Sequence, residues 1–203
     1  MEILIASNNK GKIEEFKSIL EHYENLKVVT TAEAELEDYI PREDGDTFKK
    51  NAFIKAKSYY SKVHIPVIAD DSGLCVDELD DEPGVLSARY AGENATNVEN
   101  IDKLLKELSG EKDRDAYFEC CICYYDGVGV FYAEGKVKGK ISTERRGEGG
   151  FGYDPVFIPN GYDKTFAELD ISIKNKISHR AKAMEDFREH IAKKLGRNEE
   201  EDE

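Results

Sequence analysis

Apolar and polar residues along this chain follow two periodicities, one typical of strands and one typical of helices. Short apolar runs predict strands at Glu2–Ala6, Pro66–Ala69, Ala116–Tyr125, Val128–Glu134 and Val156–Ile158. Apolar residues at helical spacing predict helices at about Gly11–Tyr23, from a cap at Asp46 or Thr47 to about Lys62, from Thr96 or Asn97 to Gly110, and from a cap at Ser178 through Leu195. Strands and helices therefore alternate.

The dipeptide Asp126-Gly127 separates two of the predicted strands and is a strong signal for a β-hairpin. A hairpin within a series of alternating strands and helices predicts an α/β fold, with a mixed central sheet and helices packed around it. The 203 residues contain no linker rich in proline or serine, so we expect a single domain over residues 1–196. Residues 197–203 form an acidic tail, which we expect to be disordered.

The composition restricts the classes of partner and the compartment. A formal net charge of −14 argues against broad binding to nucleic acid or to an anionic membrane. No apolar run approaches the roughly 18 residues of a membrane helix, and the first residues lack the pattern of a secretory signal. The cysteines match no zinc-binding spacing, so we expect buried reduced thiols in a cytoplasmic protein. They are Cys75, Cys120, Cys121 and Cys123.

Two adjacent carboxylates, Asp70 and Asp71, follow the apolar run Pro66–Ala69 and precede Ser72-Gly73. An apolar run closed by a turn signal predicts a buried strand that ends at the acids, where open α/β sheets bind their ligands. Burial of an unpaired carboxylate is unfavourable, and oxygen ligation of Mg²⁺ or Mn²⁺ would compensate for it. The alternative is a strand that ends in a solvated polar turn.

Two further segments carry groups suited to phosphates and a metal. The loop Ser7–Lys12 lies between a predicted strand and a helix, where backbone N–H groups and lysines can hold phosphates. It lacks the ending of a Walker A loop, and an ordinary capped turn explains it equally well. An acidic turn such as Glu43–Asp46 is usually only solvated. Together with Asp70 and Asp71, however, it could supply a carboxylate ligand to a metal ion. Lys55, four residues after Asn51 on one helical face, is then a candidate phosphate contact.

Two segments near the C-terminus carry groups suited to a planar base. In Gly147–Pro155, four glycines permit close backbone approach, while Phe151 and Tyr153 offer aromatic faces and Asp154 can accept hydrogen bonds. A glycine-rich corner of the sheet is the alternative. Lys174–Arg180 places three cations and His179 beside a predicted helix N-terminus, where the helix dipole disfavours cations and an anionic ligand would relieve the conflict.

These motifs together are the inventory of a Mg²⁺-dependent enzyme that acts on nucleotide phosphates. With them assembled, the chain closely resembles the inosine/xanthosine triphosphate pyrophosphatase family. The resemblance extends from residue 6 to residue 183. The matching segments are ASNNKGKIEEFKSIL, EDGDTFKKNAFIKA, ADDSGLCVDELDDEPGVLSARYAG, GEGGFGYDPVFIPNGYDKTFAEL and KNKISHRAKA.

The resemblance implies Mg²⁺-dependent hydrolysis of noncanonical purine nucleoside triphosphates (ITP, dITP and XTP) to a nucleoside monophosphate and pyrophosphate. It implies an elongated structure of two lobes with an active-site cleft between them, and a homodimer. Asp71 matches the general base. Asp71 and Glu43 match the metal ligands, with Asp70 as a further candidate, and Mn²⁺ can take the place of Mg²⁺. The positions that match triphosphate contacts are Ser7, Asn8, Asn9, Lys10, Gly11, Lys12, Lys55 and Ser72. Those that match base-binding and substrate-closing positions are Phe151, Gly152, Tyr153, Asp154, Lys174, His179 and Arg180.

Two departures and two alternatives accompany the resemblance. Asn8 stands where many members carry glycine, and Asp80-Asp81-Glu82 is more acidic than the usual turn. A pyrophosphatase for modified pyrimidine nucleotides is a second enzyme hypothesis. A nucleotide sensor without turnover is a third, against which the Glu43, Asp70 and Asp71 set argues, because a sensor needs no water-activating acid.

Overall fold

The computed structural model describes residues 1–20, 23 and 25–194. The predicted acidic tail at 197–203 and the predicted core position Leu195 lie outside the described residues. Helix-forming runs and strands alternate as the sequence predicts, and the fold is α/β.

In the part of the chain that the structure describes, six strands form one mixed sheet with the order β2-β1-β3-β4-β5-β6. β1 is parallel to both β2 and β3, whereas β5 and β6 are antiparallel. The predicted hairpin is present, because β4 and β5 are neighbours joined through the loop 126–129. The strands are β1 (Glu2–Ile5), β2 (Lys27–Thr30), β3 (Val67–Val76), β4 (Asp115–Tyr125), β5 (Val130–Ile141) and β6 (Phe157–Pro159).

The helices begin where the sequence supplies capping side chains. Thr47 accepts a hydrogen bond from the Lys50 amide at the start of the second helix, and Thr96 and Glu99 form a capping box at the start of the third. The helices are α1 (Lys10–Leu20), α2 (Phe48–Val63), α3 (Asn97–Glu107), α4 (Ile171–Ile177) and α5 (His179–Lys194), with short 3₁₀ helices at Asp77–Leu79 and Gly84–Arg89.

The chain divides into two compact units. Among the described residues, the first contains those of 1–71, 121–134 and 183–194. Its core contains the fully buried segment Ile3–Ile5 of β1. Phe16 of α1 and Phe187 of α5 also lie in this core, and their rings contact edge to face with centroids 6.4 Å apart. The apolar residues that recur at helical spacing in α2, Phe48, Ala52, Ala56 and Tyr59, are also buried.

The second unit contains residues 72–120 and 135–182. Its core is built around three aromatic rings, since Phe118 packs on Phe157 at 4.6 Å and on Phe166 at 6.2 Å. Aliphatic residues of β3 and α3, including Leu74 and Leu104, belong to the same cluster.

The strand prediction at the paired aspartates was wrong in one respect. β3 does not end at Asp70 but continues through the acids to Val76. Its pairing with β1 ends at Ile68, so the acids lie beyond the carboxyl end of β1 rather than of their own strand. The buried residues Leu74–Val76 continue β3, which explains why Ser72-Gly73 is not a turn.

Other differences are smaller. β5 extends to Ile141, well past the predicted end at Glu134, because alternate residues remain buried. Val98, an apolar residue in the first turn of α3 that helical spacing would place on the inner face, is 51% exposed. The short helix α4 was not predicted, although Ser178 accepts a hydrogen bond from the Ala181 amide at the start of α5 as expected.

All four cysteines are buried and form no disulfide, as expected. Within the described residues, no helix has the length and apolar character that a membrane crossing requires.

Candidate active site

The paired aspartates in β3 belong to a cluster of charged side chains in the first unit. The Asp70 side chain is 1% exposed, and its Oδ2 lies 2.7 Å from Nζ of Lys12 in the first turns of α1. Adjacent residues of a strand point to opposite faces, so Asp71 has different surroundings. The two acids are therefore not equivalent.

Lys55 of α2 connects two parts of this cluster. Its Nζ donates a hydrogen bond to the Asp70 carbonyl oxygen at 2.9 Å and lies 3.1 Å from Oε2 of Glu43. Burial lowers the pKa of Lys55, but the negative charges of Asp70, Glu43 and Asp71 outweigh that effect and raise it. Lys55 is therefore a fixed cation at neutral pH.

The carboxylate of Asp71 has a strongly perturbed pKa. Burial raises its pKa to about 6, and the charge of Glu43 acts in the same direction. The positive charges of Lys55 and Lys12 and a hydrogen bond with Asn51 oppose this rise. A carboxylate with such a pKa is ionised at neutral pH and is a stronger base than an exposed one.

Asn51 of α2 is a residue whose place in the site sequence reasoning missed. Its side chain is 2% exposed, and its Oδ1 accepts a hydrogen bond from the Gly45 amide at 2.8 Å. It thus links the acidic turn that carries Glu43 to the carboxylate of Asp71. Its position four residues before Lys55, noted above without a role, was the available signal.

The loop Ser7–Lys12 is held by its own side chains. Ser7 Oγ accepts a hydrogen bond from the Asn9 amide at 3.2 Å, and Asn9 Oδ1 accepts one from the Lys12 amide at 3.2 Å. Asn9 therefore caps α1, as the capped-turn alternative requires. Lys10 and Gly11 are exposed.

The side chain of Asn8 connects this loop by hydrogen bonds to the segment that follows β2. Its amide donates to the Glu37 carbonyl oxygen at 2.8 Å, and its Oδ1 accepts from the Thr31 hydroxyl at 2.6 Å. Asparagine at a position where glycine is common therefore has two hydrogen bonds that glycine cannot make.

The glycine-rich loop in the second unit is organised around Asp154. This carboxylate is 4% exposed, accepts a hydrogen bond from the Phe151 amide at 2.9 Å and forms an ion pair with Lys174. Gly150 has a φ of +72°, and a side chain there would overlap Asp154 at 2.0 Å. The glycine is therefore required by both conformation and space.

Phe151 presents the exposed aromatic ring of this loop, at 45% exposure. Lys174 Nζ lies 4.6 Å from the centre of this ring, and the Arg180 guanidinium lies 5.8 Å from it. Both Lys174 and Arg180 are buried residues, with 8% and 4% exposure. The structure therefore joins the two predicted base-side segments at one ring.

The remaining base-side residues are more enclosed. Tyr153 is 5% exposed and donates its hydroxyl hydrogen to the Ser87 carbonyl oxygen at 2.7 Å, so its ring belongs to the core of the second unit. His179 stacks on Phe118 at 4.9 Å. Arg180 Nη2 lies 3.4 Å from Ser72 Oγ, and Gly152 adopts a φ of +60°.

A model of the Ham1 family matches residues 3–190 of this chain. This chain belongs to the Ham1 family.

Several relatives of this Ham1 protein are named dITP/XTP pyrophosphatase. The dITP/XTP pyrophosphatase of Bacillus subtilis is 48% identical over 186 residues, which cover 90% of this chain and 93% of that protein. The dITP/XTP pyrophosphatase of Aquifex aeolicus is 45% identical over 195 residues, which cover 91% and 93%.

Solved Ham1 structures share the fold. The Staphylococcus aureus Ham1 protein matches with a TM-score of 0.88 and 41% identity, over 96% of this chain and 100% of that one. A HAM1 protein from Coxiella burnetii matches with a TM-score of 0.89 and 38% identity, over 95% and 99%.

The donor atoms of the acid cluster in this Ham1 chain are of the kind that a hard divalent cation prefers. Glu43, Asp70 and Asp71 supply only oxygen, but Glu43 and Asp70 each contact a lysine. Within the described residues, no three carboxylate, histidine or cysteine side chains are arranged to hold a metal ion by themselves. One or two carboxylates, completed by water and substrate oxygens, fit the usual coordination of Mg²⁺.

Proposed function

We propose that this Ham1 protein hydrolyses the deaminated purine nucleoside triphosphates ITP, dITP and XTP to the nucleoside monophosphate and pyrophosphate. The observation that carries the proposal is the identity of 45–48% over about nine-tenths of the chain with dITP/XTP pyrophosphatases. The acid and lysine cluster around Asp71 supports it, because acids and fixed cations are what phosphoanhydride hydrolysis needs.

Asp71 is the general base. Burial raises its pKa to about 6, so at neutral pH it is ionised and able to take a proton from an attacking water. Asn51 orients this carboxylate and is a positioning residue. Lys55 stays protonated beside it, so that proton transfer occurs at the carboxylate rather than at the amine.

The triphosphate is bound by the Ser7–Lys12 loop together with Lys55 and Ser72. Lys12 and Lys55 place positive charge close to the acids, where it offsets the negative charge that develops on phosphate oxygens. Asn9 caps α1 at the Lys12 amide and so fixes the start of that helix, whose N-terminus favours bound anions. Exposed Lys10 and Gly11, with Asn8, complete the loop.

Glu43 and Asp71 would hold Mg²⁺, or Mn²⁺ in its place. Asp70 is the less favourable ligand because Lys12 already compensates its charge at 2.7 Å. When bound, the ion polarises phosphate oxygens and lowers the pKa of a coordinated water.

The base is bound by the second unit's loop. Phe151 offers an exposed ring for stacking, and Lys174, His179 and Arg180 supply donors for the 6-keto oxygen of a deaminated purine. Asp154 orients Lys174 and the Phe151 amide. Gly152, with its positive φ, and the buried Tyr153 determine the backbone conformation of the loop. A site that hydrogen-bonds one edge of a base rejects a mismatched edge strongly.

The proposal includes a homodimer in the cytoplasm. The dimer rests on the family resemblance, and the compartment is supported by four buried cysteines without a disulfide.

Product analysis tests the reaction itself. With ITP and Mg²⁺ we expect IMP and pyrophosphate in equal amounts, and with EDTA we expect the rate to fall at least about a hundredfold. Formation of IDP and orthophosphate would refute the cleavage position, and binding of ITP without either product would favour the sensor hypothesis.

A further inference from the structure

A groove of about 560 Å³ in the second unit takes no part in the proposed reaction. It is lined by residues of β5, of the segment after β6, and of α4 and α5. Its volume lies within the usual range for small-molecule sites.

The lining is strongly basic in an acidic protein. The chain has 43 acidic residues against 29 lysines and arginines, yet four of the nine lining residues are lysines and none is an acid. The four, Lys136, Lys138, Lys176 and Lys182, come from three different elements. A concentration of one charge in a groove attracts the opposite charge.

Two of these lysines are held in place by the protein. Lys182 Nζ donates a hydrogen bond to the Lys136 carbonyl oxygen at 2.9 Å. Lys136 Nζ lies 3.1 Å from Glu119 Oε2 and 3.8 Å from the centre of the Tyr117 ring. A ligand therefore does not have to order all four side chains, which reduces the entropy lost on binding.

The other polar and aromatic groups suit an anion that carries an organic part. The backbone of Asn160 is held at the groove, because its backbone N–H donates a hydrogen bond to the Lys138 carbonyl oxygen at 3.0 Å. Tyr162, which is 36% exposed, adds an aromatic face to the lining. These groups can accept a planar ring beside a charged phosphate chain.

The adjoining surface limits the length of the ligand. A smaller depression of about 240 Å³ shares Lys136, Lys138 and Asn160 with the groove, but it is also lined by Asp77 and Asp115. These acids would repel a polyanion that extended from the groove into the smaller depression. The arrangement therefore favours a short anion over a nucleic acid strand.

We infer that this lysine groove binds a small polyphosphate anion, either inorganic or carried by a nucleoside, apart from the residues assigned to catalysis. The inference does not depend on turnover. Its chemistry predicts weaker binding at higher ionic strength, because the lysines are exposed and their charges are screened.

The test uses the full chain in EDTA, so that hydrolysis plays no part. Inorganic pyrophosphate, ADP and adenosine are titrated in turn, and the backbone amide resonances of Val137 and Tyr162, which line the groove but not the smaller depression, report on binding there. We expect saturable shifts with pyrophosphate and ADP, weaker at about 300 mM than at about 50 mM salt, and none with adenosine. Tighter binding of ADP than of pyrophosphate would assign the nucleoside form, and equal or weaker binding the inorganic form.

Matched variants decide whether the groove is responsible. Lys138→Gln/Lys176→Gln should weaken the local shifts at least about tenfold. Lys140→Gln removes a lysine from the same exposed face of β5 outside the groove and should leave them unchanged. Equal weakening by both, shifts with adenosine, or no saturation in the parent chain would overturn the inference.

Discussion

Nζ of Lys12 and Oδ2 of Asp70 lie 2.7 Å apart, yet their side chains differ in exposure, at 17% and 1%. The pair is therefore asymmetric: loss of the lysine leaves a buried carboxylate without this cation, whereas loss of the carboxylate charge leaves a lysine that can turn towards water.

This asymmetry predicts that Lys12→Met destabilises the protein more than Asp70→Asn does. Removing one partner of a buried ion pair costs about 3 kcal/mol, and the free energy of unfolding in urea measures it. We expect the full loss only for Lys12→Met. Equal losses would show that exposure does not govern the pair. Lys12→Met should also reduce turnover, because this lysine is a proposed phosphate contact.

Asp71→Asn should abolish pyrophosphate release and at the same time stabilise the protein above pH 6. Since burial raises the pKa of Asp71 from 3.8 to about 6, its contribution to stability is present below pH 4 and is lost as the pH rises to 6. The asparagine variant escapes this loss, which amounts to about 1–3 kcal/mol.

Unfolding of both proteins in EDTA at pH 4, 6 and 8 measures the effect. The difference in unfolding free energy should grow between pH 4 and 6 and then stay constant. A constant difference over the whole range would contradict the raised pKa, and near-normal turnover of the variant would exclude Asp71 as the base.

Asp126→Asn should lower stability at neutral pH by about 1 kcal/mol, a value reduced for the partial exposure of Lys194. The hydrogen bond with Lys194 and those from the Gly129 and Val128 amides lower the pKa of Asp126 to about 2. This stabilisation is present above pH 4 and is lost as the pH falls to 2. Chemical unfolding at pH 7 and pH 2 should show a deficit only at pH 7; a deficit at both would point to packing instead of charge.

Phe151→Ala should raise KM for ITP about tenfold with little change in kcat, because base stacking contributes about 1–3 kcal/mol and the exposed ring adds little to the fold. Tyr153→Phe is the matched control in the same loop. It removes the hydrogen bond to Ser87 and should lower stability by about 1 kcal/mol without changing KM. The reverse assignment of the two effects would refute Phe151 as the stacking residue.

Sequence reasoning predicted most of the elements because their signals are local. The cap at Thr47 and the spacing of Phe48, Ala52 and Ala56 specify α2 without tertiary information. The extent of β3 could not be predicted in this way. Asp70 and Asp71 are normally unfavourable in a buried strand, and the contacts that compensate for them there include those with Lys12 and Lys55, which are distant in sequence.

The same limit applies to the candidate site. Residue types indicated acids, cations and an aromatic loop, but not which of two aromatic rings stays exposed. Tyr153 is buried because its hydroxyl finds a carbonyl partner at Ser87, 66 residues away in the chain. Asn51 was overlooked because its role depends on Gly45 and Asp71 together.

The decisive measurement compares the rates of pyrophosphate release from ITP, XTP, dITP, GTP and ATP, each with Mg²⁺ and with EDTA. We predict Mg²⁺-dependent release that is much faster for the three deaminated purine nucleotides than for GTP and ATP. Equal rates for all five would contradict the proposed selectivity, and no release from any of them would contradict the proposed activity.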